Sequence, residues 1–111
     1  MNKKTIAALI AGVEKWERNA LAKTPDDAEI WDDTCKLCHL FVMDDCKGCP
    51  VRASTGKNYC EGSPWDRAAK ALTEWEFHAG CRNARARFRR AAKAEANFLS
   101  SLIPATEVLP Q

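Results

Sequence analysis

The sequence predicts a mainly α-helical domain, with an N-terminal helix and a long C-terminal helix flanking a zinc-stapled middle. Three observations predict it. Apolar residues recur at three- and four-residue steps near both ends of the chain. That periodicity lapses between Cys35 and Gly62, where Gly48, Pro50 and Gly56 also fall. Five of the six cysteines lie in the same stretch. A length of 111 residues, 46% apolar and 29% charged, describes one ordinary globular domain.

Ile6, Leu9, Ile10, Val13, Trp16 and Ala20 share one face of a helix over residues 3–22. Asn2-Lys3-Lys4 before Ile6–Val13 has the look of a secretory signal, with Ala20-Leu21-Ala22 as its cleavage site. The polar run from Glu14 to Asn19 separates the two, and the helical stripe continues through the supposed boundary. The segment therefore reads as a mature amphipathic helix, and the cysteines as residents of a reducing cytoplasm. No stretch approaches the ~20 apolar residues of a membrane span. Thr24-Pro25-Asp26-Asp27 supplies a cap, a first-turn proline and acids, which predicts a short second helix through Trp31.

Residues 35–62 read as loops and tight turns, with a short hairpin around Leu40–Met43. Ser63-Pro64-Trp65-Asp66 then offers a Ser-x-x-acid variant of the capping box and starts a helix, which is interrupted or bent near Gly80 and resumes to about Ile103 before Pro104. The single domain 1–111 thus divides into segments 1–34, 35–62 and 63–103, with a tail over 104–111. Phe77, Cys81, Ala84, Phe88, Ala91, Phe98 and Leu102 form a heptad-like seam broken by Glu95. Packing against the first helix is the plainer use of this seam, and a homodimer through residues 77–102 the other. Cys81 is expected there as a small buried thiol. The four tryptophans read as core anchors, at least three of them around the metal region.

The cysteine pattern is Cys35-x-x-Cys38, Cys46-x-x-Cys49 and Cys60. Each Cys-x-x-Cys lets two thiolates face one ion, and four thiolates complete a closed tetrahedral zinc site. Two sets compete: Cys35, Cys38, Cys46 and Cys49, or Cys35, Cys38, Cys49 and Cys60. His39 is expected to point away and His78 to face solvent. An iron–sulfur cluster lacks its usual spacing, a redox Cys-x-x-Cys lacks its βαβ setting, and disulfides require export. One structural zinc is the favoured reading. No catalytic motif accompanies it, so no enzyme is expected.

Charge is unevenly spread although the net value is only +2. Residues 24–33 hold five acids, and residues 82–93 hold Arg82, Arg85, Arg87, Arg89, Arg90 and Lys93 with no acid. Such a ladder suits phosphates or carboxylates. Its plainer reading is a solvated face partly neutralised by those acids.

Trp16-Glu17, the cysteine segment with Pro50-Val51, Gly56, Pro64-Trp65 and Glu95-x-x-Phe98-Leu99-x-x-Leu102 resemble small cysteine-rich accessory proteins of tailed bacteriophages. The resemblance implies a bacterial host cytoplasm and metal binding rather than disulfides. It carries across the cysteines alone. The functional expectation is a non-catalytic zinc-stabilised module that binds and modulates a host protein. The alternative is nucleic-acid binding through the arginine-rich face.

Overall fold

A computed structural model describes residues 1–31, 35–41, 43, 46–57 and 60–104 of the chain. Helix α1 spans Lys3–Asn19, capped by Asn2, whose Oδ1 accepts from the Thr5 amide at 2.8 Å. Its buried face is Thr5, Ala8, Leu9, Trp16 and Asn19, with Lys15 buried beside them. Leu9 and Trp16 belong to the predicted stripe, whereas Ile10 and Val13 are half-buried, so the inward face is rotated from the purely apolar one. The helix stops short of residue 22 because Asn19 ends it. Its amide donates to the Glu29 carbonyl and its oxygen accepts from the Glu29 N–H, both at 3.0 Å.

That pair also holds the chain extended where a second helix was predicted through Trp31. Only one 3₁₀ turn forms, Pro25–Asp27, with Asp27 Oδ2 accepting from the Lys23 and Thr24 amides at 3.2 Å. Ile30 is then inserted into the core and Trp31 stays exposed. Asn19→Ala leaves both Glu29 backbone groups without their partner and is expected to cost about 1–3 kcal/mol. Urea denaturation of the variant beside its parent measures it.

The middle is more helical than its composition suggested. Helix α2 covers Lys36–Phe41 and α3 covers Pro50–Thr55. The hairpin predicted around Leu40–Met43 does not form, since Leu40 and Phe41 complete α2, which buries Leu37 and Cys38; Val42 lies outside the described residues. Helix α3 starts at Pro50 and ends on Gly56, whose φ of 75° is the left-handed geometry a C-terminal cap needs.

Helix α4, Trp65–Phe77, begins where predicted to within one residue, but Pro64 takes the cap position and the reciprocal Ser63–Asp66 box does not form. The Trp65 amide donates to Ser63 Oγ at 3.2 Å and the Gly62 amide to Asp66 Oδ2 at 2.8 Å. A turn closed by the Cys81 amide on the His78 carbonyl at 2.8 Å separates α4 from α5, Arg82–Ser101. Both α1 and α4 pack on α5 and run antiparallel to it, Ser63 before the start of α4 reaching Glu95 while Trp75 near its end meets Phe88. On one side Gly12 faces Leu99 and Glu17 faces Lys93; on the other Trp75 meets Phe88 and Glu74 meets Arg87. Buried Ala84, Ala91, Ala92 and Ala96 keep the three helices close.

The central seam, Ala84, Phe88 and Ala91, is spent on this internal packing. Phe77 and Cys81 are exposed instead, against expectation, because the turn at 78–81 breaks the heptad phase before α5 begins. Glu95, which was to interrupt the seam, is itself 1% exposed.

Candidate metal centre and basic helix

The five cysteines of the middle segment reach one region through short local structures. Cys35 immediately precedes α2 and Cys38 sits in its first turn, while Cys49 precedes α3. The Cys49 amide donates to the Cys46 carbonyl at 3.0 Å, closing a turn around Lys47-Gly48. Ser63 holds Cys60 by donating from its amide at 3.2 Å and its hydroxyl at 2.7 Å to the Cys60 carbonyl. Cys46 and Cys60 have φ of 64° and 67°, a left-handed backbone that side chains rarely adopt. Such strain costs about 1–3 kcal/mol per residue and is retained where the surroundings dictate it.

Cys38, Cys46, Cys49 and Cys60 line one small niche together with Leu37, Phe41 and Val51. Cys35 stands with Cys38 and Cys60 on an adjoining cavity of about 250 Å³. No disulfide joins any two of the six cysteines, all of which are among the described residues. Among the described residues, no three His, Cys, Asp or Glu side chains are drawn together tightly enough to hold an ion as they stand.

Their electrostatics are those of a crowded thiol group. A hydrogen bond from the Cys38 side chain, aided by the Cys38 and Leu37 amides and the Lys15 ammonium, draws the Cys35 thiol down to about 6 against its burial. Burial, joined by the negative charges of Cys35, Glu95 and Cys49, pushes the Cys60 thiol far up. Cys49 is also raised, first by burial, although the Arg52 and Val51 amides favour its thiolate. The Cys35 thiol thus ionises readily while Cys49 and Cys60 are resisted, the situation a dication reverses. The donor chemistry fits a thiolate-bound metal: soft ligands, two of them facing backbone amides at helix starts, with a buried ammonium beside them.

Trp16, Trp31 and Trp65 wall the larger cavity, whereas Trp75 lies away from it against Phe88. Trp65 Nε1 donates to the Ile30 carbonyl at 2.7 Å, and its ring meets Trp31 edge-on at 6.1 Å. Lys15 places its ammonium 5.5 Å from the Trp16 ring centroid. Glu95 Oε2 stands 3.5 Å from Ser63 Oγ, and Oε1 has no hydrogen-bond partner among the described residues. Lys15 and Glu95 lay outside the sequence-predicted site. No local pattern marks a charged residue for burial, although Glu95 at a seam position was the available signal.

Burial pushes the Glu95 carboxyl from 4.5 up to about 7. The folded state therefore holds this proton more tightly than the unfolded chain. Its contribution is full below the unfolded pKa and declines as pH rises through the folded one, by up to about 3 kcal/mol. Glu95→Gln is expected to remove that decline. The stability difference between variant and parent from pH 5 to 8 checks it.

The six cations of α5 do not act as one ladder. Arg89 turns inward, its Nε donating to the Ala22 carbonyl at 2.9 Å and its Nη2 to the Leu21 carbonyl at 3.4 Å. It closes the turn after α1, where a cation is favoured. Lys93 lies 3.9 Å from Glu17, and Arg87 Nε lies 3.5 Å from Glu74. The neutralising acids thus come from α1 and α4. Asp27, from the acidic run, instead caps its own turn; Asp32 and Asp33 lie outside the described residues. Arg82 is exposed and Arg85 half-buried in the first turn of α5. Cys81, just before them, is exposed, its thiol drawn down by the Ala84 and Asn83 amides. His39 and His78 are exposed.

Arg87 and Arg90 share a groove with Arg67 and Lys70 of α4, two cations the sequence reading did not include. Their three-residue spacing on a helix was the signal that could have found them. The chain matches no family model, no curated protein and no solved structure. Among the described residues, no helix is long and apolar enough to cross a membrane.

Proposed function

We propose that this chain is a non-catalytic binding module whose middle segment is stapled by one structural zinc ion. The observation that carries the reading is the convergence of Cys35, Cys38, Cys46, Cys49 and Cys60 on one niche and the cavity adjoining it, with Cys38 hydrogen-bonded to Cys35. The ligand set proposed is Cys35, Cys38, Cys49 and Cys60, with Cys46, which also reaches Cys49, as the competing fourth ligand. Zinc bound there supplies a cross-link between the starts of α2, α3 and α4 and compensates thiolate charge. Lys15 offsets the remaining negative charge, and the amides at the two helix starts donate to the sulfurs. Four thiolates fill a tetrahedral shell and leave no position for a substrate, so function resides on the surface.

The phage resemblance points to a host protein in the bacterial cytoplasm as partner. The cationic surface of α4 and α5 adds a different candidate, a polyanion.

Zinc content of purified cysteine variants tests the staple and its ligands. Cys60→Ser is expected to lose stoichiometric zinc, whereas Cys46→Ser retains it. Retention by Cys60→Ser with loss by Cys46→Ser would assign the paired set instead. A parent protein without zinc would overturn the reading.

A further inference from the structure

Arg67 and Lys70 on α4 and Arg87 and Arg90 on α5 are all exposed and line one open groove floored by Ala71 and Ala91. Glu74 is the acid on that groove among the described residues. Its ion pair with Arg87 is about half exposed on both sides, so an incoming anion can compete for the guanidinium. Arg67, Lys70, Glu74 and Phe77 follow one another on α4 at steps of three, four and three, which puts them in one row. The row ends on an aromatic ring that is 80% exposed.

We infer that the α4/α5 groove binds single-stranded nucleic acid, with phosphates between Arg67, Lys70 and Arg90 and an unpaired base stacked on Phe77. This rests on the binding-module reading and names its partner. Arginine grips phosphate oxygens in pairs, and a cationic track combined with a sequence-tolerant stacking ring is how single strands are held. From Arg67 to Phe77 the row is ~15 Å long at about 1.5 Å per residue, room for a few nucleotides. An acidic peptide would engage the cations and leave Phe77 unused. A duplex keeps its bases stacked on one another and offers the ring nothing.

Fluorescence anisotropy of a labelled oligothymidylate with the full-length protein as purified tests the inference. The expected affinity falls with salt at a log–log slope of about −2, as for three phosphates on a single strand. Lys70→Glu with Arg90→Glu is expected to weaken binding at least tenfold, and Phe77→Ala by about fivefold or more with the salt slope unchanged. All three sites are exposed, so unaltered circular dichroism and zinc content separate a lost surface from a lost fold. Absent or salt-insensitive binding, or unchanged affinity in the charge-reversed variant, overturns the inference. Equal displacement by polyglutamate overturns it in favour of an acidic protein partner. A preference for duplex of mixed sequence, with Phe77→Ala silent, overturns the single-strand assignment.

Discussion

Stripping the proposed zinc with a high-affinity chelator is expected to unfold the middle segment and destabilise the whole domain. Structural zinc contributes on the order of 10 kcal/mol of apparent folding free energy, against about 5–15 kcal/mol of net stability for a domain. Helices α2 and α3 are only six residues each, far below the length at which a helix holds itself. Their loss propagates, because Leu37 and Val51 sit in the same core as Ile30, Trp16 and Leu99, and Cys60 anchors Ser63 at the start of α4. Far-UV circular dichroism should show lost helicity and a much lower urea midpoint, both restored by added zinc. Protons compete for thiolates, so the same transition should appear as pH is lowered in the loaded protein.

Trp75→Ala is expected to have the largest effect of any single substitution distant from the cysteines. Trp75 and Phe88 are both 0% exposed, with ring centroids 5.6 Å apart across the α4–α5 interface. Truncating such a ring in a packed core costs about 3–5 kcal/mol. Trp75→Phe should cost less, since Trp75 Nε1 has no hydrogen-bond partner among the described residues and the change removes an unsatisfied donor. Phe88→Ala should match Trp75→Ala, with the double variant short of additivity by about 0.5–1.5 kcal/mol. Urea midpoints of the four proteins close that cycle.

The ends of the helices were legible where their signals are local. Ser63 and Asp66 take up the Trp65 and Gly62 amides at the start of α4, through neighbours within four residues, and Pro104 follows the end of α5. The break near Gly80 was legible for the same reason. What escaped depends on residues distant in the chain. Asn19 ends α1 and prevents a second helix only because Glu29 returns to it. Lys15 and Glu95 are buried because α1 and α5 meet beside the cysteines, a charge placement no apolar periodicity encodes. Of the arginine ladder, helical spacing located the residues on α5 correctly. It could not assign Arg89 to the end of α1, nor add Arg67 and Lys70 from α4, until the helices were docked.

The cysteine cluster was legible as a group, from five thiols in 26 residues. The ligand set was not, since spacing alone leaves Cys46 and Cys60 equivalent. Folding brings Cys46 and Cys60 to one niche beside Cys38 and Cys49, so the choice between them rests with the zinc content of the two serine variants.

Native mass spectrometry of freshly purified protein, before and after chelation, tests the zinc staple most directly. The account predicts a mass excess of one zinc ion, lost on chelation together with the compact charge states. A metal-free mass with the same compact charge states, or one lowered by pairs of hydrogens from disulfides, would contradict it.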